Sequence, residues 1–288
     1  MRSYAYFPGC SLKATAKPYE TSLLDVAKAL DVELRELDDW NCCGATAYFS
    51  VRETLSHAIS ARNLAIAEKQ ALDVVAPCSA CYLGLSKTNH YLQEFPDLKK
   101  RVDDALAAGG LTYNGSVRVR HALEVFVQDV GIDAIEDQVK KPLDDLKVAG
   151  YAGCQMVRPY GFDDPEVPEV LDRLTRALGG TPVEFPLASR CCGGAQVMTN
   201  QPIALAMCRE LLACADGRQA DVIVTTCPLC HMNLDLFQGK VNAAFGTSFH
   251  IPVVFFTQLM ALAFGLGRTG IDKNIVPVGP KLAGLVAG

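Results

Sequence analysis

The chain has 288 residues, half of them hydrophobic and a fifth charged, with a formal net charge of −5 and twelve cysteines. That length and apolar content suffice for two domains with substantial cores, and the lack of any Lys/Arg-dense run argues against nucleic acid as a partner. The longest apolar stretch, Ile251 to Leu266, is broken by Pro252, Thr257 and Gln258 and is shorter than the roughly 20 residues a membrane span requires, so no direct membrane span is expected.

Met1-Arg2-Ser3-Tyr4 leads into a strand-like run, not a signal peptide, and the cysteine usage fits a cytoplasmic protein whose thiols serve metals or redox chemistry. Tyr4 to Phe7 is β-prone and ends at Pro8-Gly9, with Cys10 just beyond. Pro18 and Tyr19 open a helical pattern through Leu23, Leu24, Ala27 and Leu30. Val32 to Leu37 alternates as a strand and leads to Trp40-Asn41-Cys42-Cys43-Gly44. An Ala-rich helix is expected from about Thr54 to Gln70, then a buried strand at Asp73 to Ala76, then Cys78 and a helix from Cys81 to about Glu94.

The second half repeats this order. Val148 to Tyr151 precedes Gly153-Cys154, and Arg158-Pro159-Tyr160 answers Lys17-Pro18-Tyr19. A helix near Val167 to Leu178, a strand at Pro182 to Phe185, and Cys191-Cys192-Gly193 follow. A helix from about Pro202 to Ala215 and the β-branched strand Asp221 to Thr225 lead to Cys227. Val117 to Arg120 with His121 aligns with Pro252 to Phe256 with Thr257. Strands alternating with helices predict an α/β fold with a small parallel sheet in each half, and every cysteine group falls just after a strand, where such folds place ligands. The expected division is 1–140 and 141–288, with the linker in the charged stretch Asp133 to Asp145 and the halves related by a pseudo-two-fold axis. The residues after Gly265 read as an irregular tail suited to wrapping or docking on a partner.

Ten of the twelve cysteines form one pattern twice: Cys10, Cys42-Cys43 and Cys78-x-x-Cys81, then Cys154, Cys191-Cys192 and Cys227-x-x-Cys230. In both copies 34 residues separate the doublet from the final pair. A zinc site takes four tetrahedral ligands, and an adjacent doublet does not easily aim both thiolates at one such ion. A thioredoxin-like reading of Cys78 and Cys81 leaves the doublet without a purpose. An iron–sulfur cluster in each half is the favoured reading, with zinc and dithiol chemistry as alternatives. Gly44 and Gly193 are expected to let backbone amides approach cluster sulfurs.

The double set Cys-x(31–38)-Cys-Cys-Gly-x(33)-Cys-x-x-Cys resembles the CCG domain, and the chain from Tyr6-Phe7-Pro8-Gly9-Cys10 to Cys227-Pro228-Leu229-Cys230-His231-Met232-Asn233 resembles the B subunit of heterodisulfide reductase. The resemblance implies that each five-cysteine set holds one non-cubane 4Fe-4S cluster. It further implies cleavage or formation of a sulfur–sulfur bond between the clusters, with electrons exchanged with a C-like 4Fe-4S ferredoxin protein. An A-like flavoprotein is the further partner. The substrate would be the disulfide of coenzyme M and coenzyme B, or lipoyl-carried sulfur in the similar sulfur-oxidising complexes. CCG domains of membrane succinate, glycolate and lactate oxidoreductases imply the alternative, an electron relay toward quinone with no substrate of its own. An open basic cleft between the clusters favours the enzyme, and clusters walled off from solvent favour the relay.

Lys17 and Arg158, at matching places before Pro-Tyr, are candidate ligands for an anionic substrate tail, or solvated helix starts. His231 is a candidate proton donor to a leaving thiolate, or a helix-face residue. His121 reads as a helix N-cap, Cys208 and Cys214 as buried structural thiols, and Trp40, in register near Arg190, as a shield for the first cluster.

Overall fold

The computed structural model describes residues 1–45 and 48–287. Two four-stranded parallel sheets divide the chain. The first is ordered β2-β1-β3-β4, from β1 (Arg2–Tyr6), β2 (Val32–Glu36), β3 (Val74–Ala76) and β4 (Val119–His121). The second is ordered β6-β5-β7-β8, from β5 (Lys147–Tyr151), β6 (Thr181–Pro182), β7 (Val222–Thr225) and β8 (Val253–Phe255). The repeated strand order makes each half an α/β unit, as the sequence pattern predicts. Val74-Val75 and Val222-Ile223-Val224 are buried in the sheet centres, as strands covered by helices on both faces must be.

Helices supply the layers between the strands. Lys17–Ala29 starts with Pro18 in its first turn and buries Tyr19, Leu23 and Val26. Glu53–Glu68 buries a small-residue face that includes Ser56, Ser60, Ala61 and Leu64. Its counterpart Gln201–Gly217 buries Ala204, Leu205, Cys208, Leu211 and Leu212. The helix Ser79–Glu94 begins directly after Cys78, and Pro228–His231 directly after Cys227, so the final cysteine pair of each set straddles a helix start. The helix Pro96–Ala108, absent from the sequence expectation, has Pro96 in its first turn and buries Leu98, Val102 and Leu106 at helical spacing.

Three expectations change in the folded chain. The strand at Pro182 to Phe185 is reduced to Thr181–Pro182 at the sheet edge, where Thr181 N and Val183 N bond the neighbouring strand and Pro182 turns its nitrogen outward. His121 corresponds in register to Phe255, not to Thr257. Ala76 pairs with His121 and Thr225 with Phe255, and each cap residue's N–H is accepted three residues on, by Glu124 and by Gln258. His121 is the N-cap foreseen, its Nδ1 accepting from Leu123 N at 3.1 Å. The tail after Gly265 docks on its own chain. The buried Asp235 carboxylate accepts from Ile275 N at 2.8 Å, Lys281 pairs with Asp221, and Thr269 O accepts from Gln258 Nε2.

Two histidines are buried in the neutral form. Burial pushes His121 down to about 3 and, with the Lys87 charge second, His57 down to about 4. A folded-state value below the unfolded one means each contributes stability present above about pH 6.5 and lost as pH falls toward 4 and 3. Stability should therefore fall steeply below pH 6.5, by about 1.4 kcal/mol per pH unit for each histidine, and the melting temperature with it. His121→Asn keeps a capping acceptor and should flatten that slope; a slope equal to the parent's would refute the assignment.

Candidate metal centres

Each cysteine set is assembled at the carboxyl edge of one sheet. In the first, Cys10 follows β1, the Cys42-Cys43 loop follows β2, and Cys78 and Cys81 follow β3. The Cys43 and Cys81 sulfurs lie 3.3 Å apart, and Cys10 is within hydrogen-bonding reach of Cys42. In the second, Cys192 and Cys230 lie 3.4 Å apart and Cys154 reaches Cys191. Neighbouring thiols share protons unequally. A hydrogen bond from Cys42, and then one from Cys81, holds Cys43 well below the usual thiol range, while Cys81 is pushed up by its bond to Cys43. The bond from Cys154 lowers Cys191 to about 6. Low thiol values favour the thiolate form that metals require.

The two sets meet. Cys78 and Cys227 are within hydrogen-bonding reach of each other and are 3% and 2% exposed. Around them Ser79 Oγ and Thr226 Oγ1 lie 2.8 Å apart, and Tyr19 Oη donates to Pro77 O at 2.8 Å and approaches Thr226 O at 3.3 Å. Those two carbonyls belong to the residues immediately before Cys78 and Cys227. The junction is therefore closed, whereas Cys10 and Cys42 are exposed and Cys154 and Cys191 half-buried.

Backbone amides aim at the doublets, with Gly44 N 3.5 Å from Cys42 Sγ and Gly193 N 3.3 Å from Cys191 Sγ. Both glycines have positive φ, +75° and +89°, and a Cβ there would strike Ser56 or Ala204 of the following helix, not a sulfur. The glycines that press on sulfur are Gly9 and Gly153, with φ near +70°. An added Cβ would sit 2.9 Å from Cys81 Sγ at Gly9 and 3.4 Å from Cys230 Sγ at Gly153.

The donor chemistry fits iron–sulfur clusters. Soft thiols predominate, amides point at sulfur, and a cradle bounded by glycine leaves room beside Cys81 and Cys230. Among the described residues no three His, Cys, Asp or Glu side chains converge as the donor set of a single ion. In the second set Cys154, Cys191, Cys192, Cys227 and Cys230 instead line one small cavity together.

The cysteine-rich CCG domain matches twice, over residues 4–86 and 148–235. The 8-methylmenaquinol:fumarate reductase membrane anchor subunit of Wolinella succinogenes is 33% identical, over 96% of this chain and 97% of its own. The B subunit of a ferredoxin/F420H2-dependent CoB-CoM heterodisulfide reductase from Methanosarcina acetivorans is 31% identical, over 96% and 94%. A protein of Archaeoglobus profundus, itself like the heterodisulfide reductase B subunit, is also 31% identical, over 92% and 91%. This chain belongs to the CCG family, in the group of heterodisulfide reductase B subunits. A solved structure of a hypothetical Helicobacter pylori protein has the same fold, with a TM-score of 0.79 at 14% identity, over 96% of this chain and 52% of that one.

Within this CCG pair the remaining candidates separate. Lys17 and His231 line one cavity between the halves. Arg158 does not join them: its guanidinium bonds Glu166 and the Pro165 carbonyl beside Ser189, so the duplication places the two cations in different surroundings. Trp40 packs edge-on against Phe7 and borders Cys42. Cys208 is buried and donates to Cys192 O at 3.3 Å, and Ser60 donates to Cys43 O at 2.6 Å from the matching helix, while Cys214 is half-buried. Asn233 was not singled out in the sequence. Its Nδ2 reaches Cys192 O and Gly194 O, both at 3.0 Å, and its signal was the place one helical step after Cys230.

Gly9→Ala should lower the metal content of the first set sharply, and Gly153→Ala that of the second more mildly, since the second contact is the looser. Iron analysis with circular dichroism checks this; full iron content in both variants would contradict the tight approach.

Proposed function

We propose that this CCG protein is the iron–sulfur electron-transfer subunit of a multisubunit oxidoreductase. One 4Fe-4S cluster is held by Cys10, Cys42, Cys43, Cys78 and Cys81, and the other by Cys154, Cys191, Cys192, Cys227 and Cys230. Residues 1–140 and 141–288 act as the two cluster-binding domains. The observation that carries the reading is the closed junction around the buried Cys78 and Cys227, where Ser79 Oγ and Thr226 Oγ1 lie 2.8 Å apart, paired with the exposure of Cys10 and Cys42. When bound, such clusters supply iron that carries single electrons. Tyr19, Ser79 and Thr226 keep water from the junction and fix both loops. The exposed thiols leave an approach for a partner, a C-like iron–sulfur protein or an A-like flavoprotein. A walled-off junction supports the relay, and the likeness to a menaquinol:fumarate reductase subunit is in keeping with it.

The second reading is a disulfide oxidoreductase, favoured by the exposed Cys10 and Cys42 and by the 31% identity to a heterodisulfide reductase subunit. On that reading a sulfur–sulfur bond is cleaved or formed at clusters of the non-cubane kind, and Lys17 and His231 are the groups toward substrate. Arg158, tied to Glu166, is then a neighbour of the second doublet loop.

Anaerobically purified protein should contain about eight irons and eight acid-labile sulfides, the total of two 4Fe-4S clusters. Cys43→Ser should remove one EPR signal and leave the other, whereas Cys78→Ser should perturb both because Cys78 and Cys227 share one buried junction. An unchanged spectrum on adding a disulfide agrees with the relay, and a new paramagnetic signal selects the disulfide reading. Zinc without iron would overturn both.

A further inference from the structure

A cavity of about 640 Å³ opens between the two halves and borders none of the ten pattern cysteines. The first half contributes Ala14 to Pro18 and Thr21. The second contributes His231, Phe255, Gln258 and the stretches 267–270 and 272–274. The volume is that of a small-molecule site, much larger than one inorganic anion occupies.

Its charge is positive. Arg268 is paired with Asp25 and Lys273 with Asp272, while Lys17, among the described residues, has no carboxylate partner. Lys17 also stands at the first turn of the helix Lys17–Ala29, which has no side-chain cap. The walls beside it are carbon: Ala14, Ala16, Pro18 and the Phe255 ring. On that ring His231 lies nearly parallel, with centroids 4.4 Å apart.

The same Phe255 ring stacks on Tyr19 at 4.1 Å, and Tyr19 Oη bonds the carbonyls of Pro77 and Thr226. A molecule lying on His231 is thus joined by three stacked rings to the residues that precede Cys78 and Cys227. The smaller cavity lined by Ser79, Cys154, Cys191, Cys192, Cys227 and Cys230 belongs to the second cluster site, so the cavity between the halves is where a small molecule bound apart from the cysteines can be sensed by both sets.

We propose that this cavity binds a small organic anion with a flat apolar body. The acid group sits on Lys17 and the body against Pro18, Phe255 and His231. Occupancy is transmitted to the cysteine junction through Phe255 and Tyr19. This deepens the assignment of Lys17 and His231 and does not require either account of the electrons' destination.

Calorimetry on the anaerobically purified full-length protein tests it, with benzoate and phenyl phosphate as probes, and with inorganic phosphate and benzyl alcohol as the head and body alone. Saturable binding of benzoate, phenyl phosphate or both is expected, at least tenfold tighter than either fragment; which acid binds distinguishes a carboxylate from a phosphate ligand. Lys17→Gln should weaken binding about tenfold, Lys17→Arg should retain it, and Thr21→Trp, filling the cavity, should abolish it. EPR signals should shift on probe binding in the parent and not in Thr21→Trp. No saturable binding, equal binding of the fragments, or parent-like affinity in Thr21→Trp would overturn the proposal. Those failures with a full iron content leave the cluster reading intact, whereas loss of iron content with binding preserved strikes only that reading.

Discussion

The Tyr19 hydroxyl is the tie on which the arrangement of the two cysteine sets depends. It belongs to the first half, yet its one proton, donated to Pro77 O at 2.8 Å, also lies toward Thr226 O of the second half at 3.3 Å, and its ring stacks on Phe255 there. Burial raises the phenol far above its ordinary range, so it remains a proton donor at every working pH. A buried hydrogen bond contributes only about 1 kcal/mol net, but leaving a buried carbonyl unpaired costs about 1–3 kcal/mol, so the interaction specifies geometry more than it adds stability. Sharing that proton between the two carbonyls keeps the loops of Cys78 and Cys227 side by side. The halves then cannot slide against each other without exposing unsatisfied groups.

Duplication explains the shared plan and also shows where the halves have diverged. Matching helices donate to the second doublet cysteine of each set, one through Ser60 and the other through Cys208. One step beyond the last cysteine, Asn233 binds the doublet loop in the second half. Gly84 occupies the same step in the first, where an added Cβ would press on Ala45 at 3.3 Å. Tyr160, the counterpart of Tyr19, lies outside the junction, stacked on His90 at 4.2 Å, with its carbonyl accepting from Tyr82. Two similar cysteine sets thereby sit in unlike surroundings. A difference in their electron affinity would follow from that asymmetry.

Much of this was legible in the sequence because it is local. The strand–helix alternation, the positions of the cysteines just after strands, and the His121 cap all follow from spacing over a few residues. The Pro96–Ala108 helix is equally legible, through Leu98, Val102 and Leu106 at helical spacing, although it carries no cysteine. The contact of Cys78 with Cys227, the Tyr19 tie and the pressure of Gly9 on Cys81 were not, since each joins positions distant in sequence whose approach is set by the packing of whole layers. The parting of Lys17 from Arg158 has the same origin: the local motif is duplicated, but Glu166 and the Pro165 carbonyl, which capture Arg158, have no equivalent around Lys17 among the described residues.

The central claim is that two cluster sites adjoin through Cys78 and Cys227 inside the protein. Pulsed EPR on anaerobically purified protein reduced at both sites tests it most directly, because the dipolar interaction between two spins depends on how near they are. The arrangement predicts strong mutual splitting or broadening of the two signals. Two full-strength signals that relax independently, with no interaction between them, would contradict it.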